Sequence, residues 1–145
     1  MIAYLQLYNM DAAFIAFISY LTGAKLAGGD YLQNVAAAGF VTGISTNFIY
    51  SFNSWADSHI DAVNKPWRPI PFGRITARNA LVYSLVLLVI AVIYPFFIAR
   101  DVWTLFLFQL LPLLGLLYSS KPTSFRKYSI LSTLTISLGL VTPLM

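Results

Sequence analysis

An asparagine and two aspartates recur at four-residue intervals in this chain, as Asn53, Asp57 and Asp61, and the bases Lys65, Arg68 and Arg74 follow them closely. On an α-helix, four residues turn through about 400° and rise about 6 Å, so the three side chains drift by about 40° per step and share one face. Oxygen donors without thiolates suit a hard divalent cation, and Mg2+ binds through one or two carboxylates together with phosphate oxygens and water. Adjacent members of the stripe can share one hydrated ion, whereas Asn53 and Asp61, about 12 Å apart along the axis, cannot easily touch the same one. The stripe therefore fits a metal-bridged ligand larger than a single ion, and a diphosphate is the natural third party. Lys65, Arg68 and Arg74, with Lys121, Arg126 and Lys127 further along, are candidates for its remaining oxygens through charge-assisted hydrogen bonds. A plainer assignment pairs Asp57 and Asp61 with Arg68 and Arg74 as interfacial ion pairs. His59 lies roughly 200° around the helix from both acids and is expected at the surface or in packing. Trp55 and Trp67 are expected to be interfacial aromatics.

These polar residues interrupt a chain of another character. Its 145 residues are 59% hydrophobic and only 10% charged, with mean hydropathy +0.75, whereas a soluble domain carries about a quarter charged residues. That composition describes an integral membrane protein. The net charge of +4 sits in short loops between apolar runs rather than on a basic stripe, which excludes a nucleic-acid module. With no cysteine, disulfide frameworks and thiolate metal sites are excluded. The first apolar segment has no basic leader and no small-residue cleavage site before it, and is expected to be retained.

The apolar runs predict an all-α, multi-pass transmembrane helical bundle with about five helices, at about 2–24, 33–63, 77–99, 102–119 and 128–145, together forming a single transmembrane domain over 1–145. Each is near or above the length that spans a bilayer. Asp11 is expected at the N-terminus of the first helix, entering near Ala12, where negative charge is favoured. Lys25 to Asp30, with Gly28 and Gly29, predicts a short turn. The second helix is rich in small residues, and Gly39 and Gly43 have the spacing that lets helix backbones approach closely in lipid; it is expected at the centre of the bundle. Pro66 should end this helix near Asn64, with Pro66, Pro69 and Pro71 holding an extended loop. Thr76 is a candidate N-cap, Pro95 a kink at the far end of the third helix, and Pro112 beside Gln109 a kink rather than a site. Lys65, Arg68, Arg74, Arg78, Lys121, Arg126 and Lys127 fall on one side of the alternating spans and Lys25 and Arg100 on the other. The richer side is expected to be cytoplasmic, which places the acid stripe and both basic loops in that compartment.

Asn53-x-x-x-Asp57-x-x-x-Asp61 followed by Lys65-Pro66-Trp67-Arg68-Pro69-Ile70-Pro71-Phe72-Gly73-Arg74 resembles the first aspartate-rich signature of the UbiA-type intramembrane prenyltransferases. Leu117-Tyr118-Ser119-Ser120-Lys121-Pro122 resembles the later Tyr/Lys element of that family. The resemblance implies a helical membrane enzyme of about nine spans that moves a prenyl group from a polyprenyl diphosphate donor to an aromatic or glycerolipid acceptor within the lipid bilayer. It implies Mg2+ as cofactor, with Asn53, Asp57 and Asp61 as its ligands and as catalytic residues. Lys65, Arg68, Arg74, Lys121 and Tyr118 are the implied diphosphate-binding residues. Ser54 stands where many members carry a second acid, Phe72 where serine is common, and the Arg-Pro often found before the first span is absent around Gln6 and Leu7. The family's second aspartate-rich motif is also absent. The chain is accordingly expected to be the N-terminal part of the complete fold and, isolated, to bind metal and diphosphate poorly and turn over little.

Two other classes compete. Membrane phosphatidyl alcohol transferases also space acids by four, but they need Asp-Gly and Ala-Arg upstream, and 46–53 contains neither. An ion-coupled carrier, or a non-catalytic subunit or fragment, would use the Asp stripe for ion pairing. Among acceptors, the arginine within the proline-rich loop resembles enzymes acting on archaeal glycerophosphate lipids, quinone-ring precursors or chlorophyllide, and a polar-lipid or quinone-precursor acceptor is expected.

Overall fold

The computed structural model describes residue 4 and residues 9–26, 32–120, 128, 130–131 and 133–134. Its elements are α1 (Met10–Leu26), α2 (Leu32–Ala56), α3 (Ser58–Asn64), α4 (Ala77–Ile93), α5 (Pro95–Ile98) and α6 (Val102–Ser119). Among the described residues, three stretches are long and apolar enough to cross a membrane: Val35–Ala56, Ala77–Ile98 and Val102–Ser119. The turn at 27–30, the basic residues Lys121, Arg126 and Lys127, and most of 128–145 lie outside the described residues.

α2 is the central span: 61% of its apolar window is buried inside the protein, against 22% and 33% for the other two spans. Its small residues explain why neighbours come so close. A Cβ added at Gly39 would stand 3.0 Å from the Phe17 ring, and one at Gly43 would stand 3.1 Å from the Ala13 carbonyl oxygen, so α1 lies directly on this glycine seam. The order Gly39–Phe17, Gly43–Ala13 makes the two helices antiparallel. On another side Ile44, Phe48 and Phe52 of α2 form one buried cluster with Leu87 and Ala91 of α4. On a third, Gly115 of α6 approaches so closely that any Cβ would overlap Ile49 Cγ1.

The hydroxyls of α2 are absorbed by the helix itself. Thr42, Ser45, Thr46 and Ser51 donate to the carbonyls of Ala38, Val41, Thr42 and Phe48, each at 3.0 Å. Ser84 in α4 does the same to Ala80, at 2.8 Å. Satisfied in this way, a hydroxyl can sit in an apolar interior where an unpaired one is costly.

Helix ends follow local chemistry. α1 begins at Met10 with Asp11 in its first turn, where the carboxylate meets the positive end of the helix. Thr76 caps α4, its side chain accepting from the Asn79 N–H at 3.2 Å, and Asp101 caps α6 by accepting from the Thr104 N–H at 2.8 Å. α4 stops at Ile93 and the short α5 starts with Pro95. A proline has no N–H for the preceding turn. Gln109 of α6 bonds the Val92 carbonyl near this break, its Nε2 donating at 2.9 Å. Gln109, expected only as the neighbour of a kink, is thus a tie between two spans.

Two expectations need correction. The helix read as continuous over 33–63 is interrupted at Asp57, whose φ of −93° and ψ of 2° leave helical geometry for one residue. The stretch after Pro66, read as an extended loop, is a series of closed turns. Phe72 N–H donates to Arg68 O at 2.9 Å, Gly73 N–H to Ile70 O at 3.0 Å, and both Arg74 and Ile75 N–H to Pro69 O, at 2.9 and 3.2 Å. Gly73 supplies the positive φ of 78° that this folding-back requires. Prolines fix φ without extending the chain when the intervening residues turn.

Candidate functional site

The interruption at Asp57 does not break the register of the acid stripe. Asp57 N–H still donates to Asn53 O at 2.9 Å and Asp61 N–H to Asp57 O at 2.8 Å, so each polar residue lies one closed turn beyond the last. Asn53 and Asp57 are half-buried, with Asp57 Oδ1 fully enclosed, and Asp61 is 5% exposed. Carboxylates in that position need a counter-charge, because burying an isolated one is prohibitive.

The proline loop supplies it. Arg68 Nη1 donates to Asp61 Oδ2 at 2.5 Å, an ion pair in which the acid side chain is 7% exposed and the base 33%. The backbone of one residue connects the partners: Lys65 N–H donates to Asp61 O at 2.8 Å, closing α3, and Lys65 O accepts from Arg68 N–H at 3.0 Å. The plainer assignment of Asp61 to an ion pair with Arg68 is thus realised in the structure.

A second span reaches the stripe from the other side. Ser119, completely buried in the last turn of α6, donates through Oγ to Asn53 Oδ1 at 3.1 Å. Since Gly115 meets Ile49 one turn earlier, α6 runs parallel to α2 with Gly115 and Ser119 in register with Ile49 and Asn53. α4 is antiparallel to both, as the pairs Asn47–Tyr83, at 3.1 Å, and Gln109–Val92 require. The end of α2, the start of α4 and the end of α6 therefore meet at one end of the bundle.

The remaining candidate residues surround this point. Lys65 is exposed beyond the α3 terminus, and Arg74 is exposed with its guanidinium 4.6 Å from the centre of the Phe72 ring. Tyr118 is half-buried beside Ser119, and Lys121 lies outside the described residues. His59 is exposed, as its position off the stripe predicts. Trp67 is 68% exposed. Trp55, half-buried at the end of α2, packs with its ring centre 5.4 Å from that of Phe52 and against the cluster of Ile75 and Ala80. It links the stripe-bearing helix to the exit of the proline loop.

The donor set fits Mg2+ in kind: two carboxylates and an amide oxygen on successive turns, one carboxylate oxygen enclosed, and no sulfur. Among the described residues no group of three or more His, Cys, Asp or Glu gathers to hold a metal ion, so a ligand's own oxygens are needed to complete a coordination shell. Farther down the bundle, Tyr20, Thr42, Ser45, Thr104, Leu107, Phe108 and Leu111 line a cavity of about 110 Å³ between α1, α2 and α6. Ser45 lies eight residues, about 12 Å, below Asn53 on α2. The cavity wall is mixed, with the hydroxyl-bearing Tyr20, Thr42, Ser45 and Thr104 beside the apolar Leu107, Phe108 and Leu111.

Sequence reasoning missed Ser119 and Gly115. Their signal was present: small residues four apart on an apolar helix mark a face that another helix can approach closely.

The described residues thus form an all-helical membrane protein that gathers acids, an amide and a basic loop at one end of its bundle. The family model of the UbiA prenyltransferase family matches residues 13–145, and the chain belongs to that family. It is 33% identical over 98 residues to a digeranylgeranylglyceryl phosphate synthase of Methanosphaera stadtmanae, covering 68% of this chain and 36% of the relative. To the synthase of the same name from Saccharolobus solfataricus it is 28% identical over 121 residues, covering 82% of this chain and 42% of the relative. It is also 43% identical over 60 residues to the bacteriochlorophyll synthase 33 kDa chain of Cereibacter sphaeroides, covering 41% and 18%. The chain thus spans about two fifths or less of these relatives' length. No solved structure matches it significantly.

Proposed function

We propose that this chain is the N-terminal part of an enzyme that transfers a prenyl group from a polyprenyl diphosphate to a polar glycerolipid acceptor, with residues 1–145 forming one transmembrane domain of it. The observation that carries this reading is the Asn53, Asp57, Asp61 register at the end of a membrane span, with Arg68 folded back onto it. In the transfer, the carbon–oxygen bond to the diphosphate breaks and the diphosphate departs with the electron pair. The acceptor oxygen then bonds the allylic carbon and releases its proton. Mg2+ would neutralise charge developing on the departing diphosphate. Adjacent members of the stripe, Asn53 with Asp57 or Asp57 with Asp61, would hold the cation. Lys65, Arg68 and Arg74, with Tyr118 and Lys121, would take the diphosphate oxygens.

The names of the archaeal relatives denote a glyceryl phosphate carrying two geranylgeranyl groups, which supports a glycerolipid over an aromatic acceptor. The seven-to-two distribution of bases supports a cytoplasmic position for the stripe and the proline loop. Calorimetric titration with a non-hydrolysable prenyl thiolodiphosphate tests the reading. Binding is expected to require Mg2+ and to be lost in Asp57→Ala. Equal affinity with and without Mg2+, or in the variant, would point to the ion-pairing alternative.

A further inference from the structure

Arg68 stands where the proposed cation must go. Asp61 is enclosed and its carboxylate is engaged by the guanidinium, whereas Arg68 is one-third open to solvent on a surface loop. The pair is asymmetric: the acid is fixed and the base can leave. The Arg68 backbone is held independently of its side chain, by the bonds from its N–H to Lys65 O and to its carbonyl from Phe72 N–H. Release therefore requires only rotation of side-chain torsions.

We propose that Arg68 is a specificity determinant that admits a cation–diphosphate unit to the Asp57–Asp61 site while opposing the bare cation. The inference rests on the prenyl-transfer reading and adds a selection to it. A bare divalent cation reaching Asp61 must displace a guanidinium that then has no anion, and the two positive charges repel. A cation arriving with diphosphate brings the anion that Arg68 then grips, since its planar fork matches carboxylate and phosphate alike. The exchange leaves no charge without a partner: Arg68 passes from carboxylate to phosphate as the cation takes its place on Asp61. Metal and diphosphate binding become coupled through one side chain, and such coupling is reciprocal. A lysine at this position would offer a compact, strongly hydrated charge without the fork and would select less sharply.

The test uses the full chain in lipid nanodiscs with Mn2+ as the probe, free Mn2+ being read by electron paramagnetic resonance. Arg68→Gln is expected to bind Mn2+ without diphosphate about tenfold more tightly than wild type, equivalent to about 1.4 kcal/mol. The same variant is expected to bind the thiolodiphosphate less tightly when Mn2+ is present. General damage to the fold would weaken both, so the opposite signs identify the selection. Unchanged or weaker Mn2+ binding in Arg68→Gln, in a wild type that binds the thiolodiphosphate metal-dependently, overturns the role of Arg68 alone. Thiolodiphosphate binding in wild type that is measurable but equally tight with and without Mn2+ overturns the prenyl-transfer reading and this inference with it. If Arg68→Gln does not fold, Arg68→Lys replaces it: a smaller rise in Mn2+ affinity is expected, and no rise overturns the proposal. Because the readout is a ratio between variants, weak absolute binding does not blunt it.

Discussion

Replacing Ser119 by alanine removes one hydroxyl from a fully buried position and takes from Asn53 Oδ1 the hydrogen bond that reaches it from the neighbouring span. A buried acceptor stripped of its donor costs about 1–3 kcal/mol. Asn53 is only half-buried, so water replaces part of the lost bond and the lower end, about 1 kcal/mol, is expected. If that energy serves to hold the amide in its binding orientation, its loss appears as about a fivefold fall in affinity for the metal–diphosphate unit. The assay is a titration of thiolodiphosphate with Mg2+ into Ser119→Ala, Ser119→Thr and wild type, with thermal unfolding followed in parallel. Alanine should weaken binding by the stated factor, and threonine, which keeps the hydroxyl, should recover most of it. The reasoning fails if alanine binds as wild type does, or if threonine is no better than alanine while both melt normally.

Gly115→Val forces a branched side chain into the volume of Ile49; overpacking of this kind costs about 1–3 kcal/mol, so a lower melting temperature in detergent is expected. Co-substitution of Ile49→Ala should restore part of it. The Asp101 carboxyl is held below its ordinary value of 3.8, chiefly by the Thr104 backbone hydrogen bond and then by the Thr104 hydroxyl. A group with a depressed folded value stabilises above its unfolded value and loses that stabilisation as pH falls through the folded one. Amide protection at the start of α6, taken as exchange relative to the intrinsic rate at each pH, should therefore fall below about pH 4, and Asp101→Asn, which caps without titrating, should abolish that dependence. Since the chain has no cysteine, Phe72→Cys and Arg100→Cys each carry a single thiol. A membrane-impermeant thiol reagent applied to intact cells should label Arg100→Cys and reach Phe72→Cys only after permeabilisation. The reverse pattern would invert the proposed orientation.

What could be read in advance was what depends on near neighbours in sequence. The four-residue spacing of Asn53, Asp57 and Asp61 survives in the backbone bonds that join them. Pro66 ends α3 at Asn64, and Thr76 caps α4. The seam at Gly39 and Gly43 is a local pattern whose effect is long-range, and it was legible because only close contact explains glycines on one face of an apolar helix. The excursion of Asp57 from helical geometry was not legible, since it involves a single residue with no proline or glycine to mark it. The closed form of the proline loop was misjudged because proline fixes φ but leaves ψ to its surroundings. For Arg68, charge type left two anions open, a diphosphate and a stripe carboxylate, and the structure pairs it with Asp61. Choosing between two nearby anions is a matter of where the loop places a guanidinium, and that depends on the turns. Ser119 lies 66 residues from Asn53, so its role depends on how two spans align.

Lys65 separates, between its backbone and its side chain, two functions that the sequence superimposes on one residue. Its N–H and carbonyl bind the acid-bearing turn to the backbone of Arg68, while its side chain is left to the solvent. Evolution can therefore retune the charge at this position without disturbing the geometry of the neighbouring pair. Lys65→Ala removes one attraction for phosphate and leaves Asp61 and Arg68 aligned; Lys65→Pro keeps the carbonyl but deletes the N–H, and the acid and its base lose their common frame.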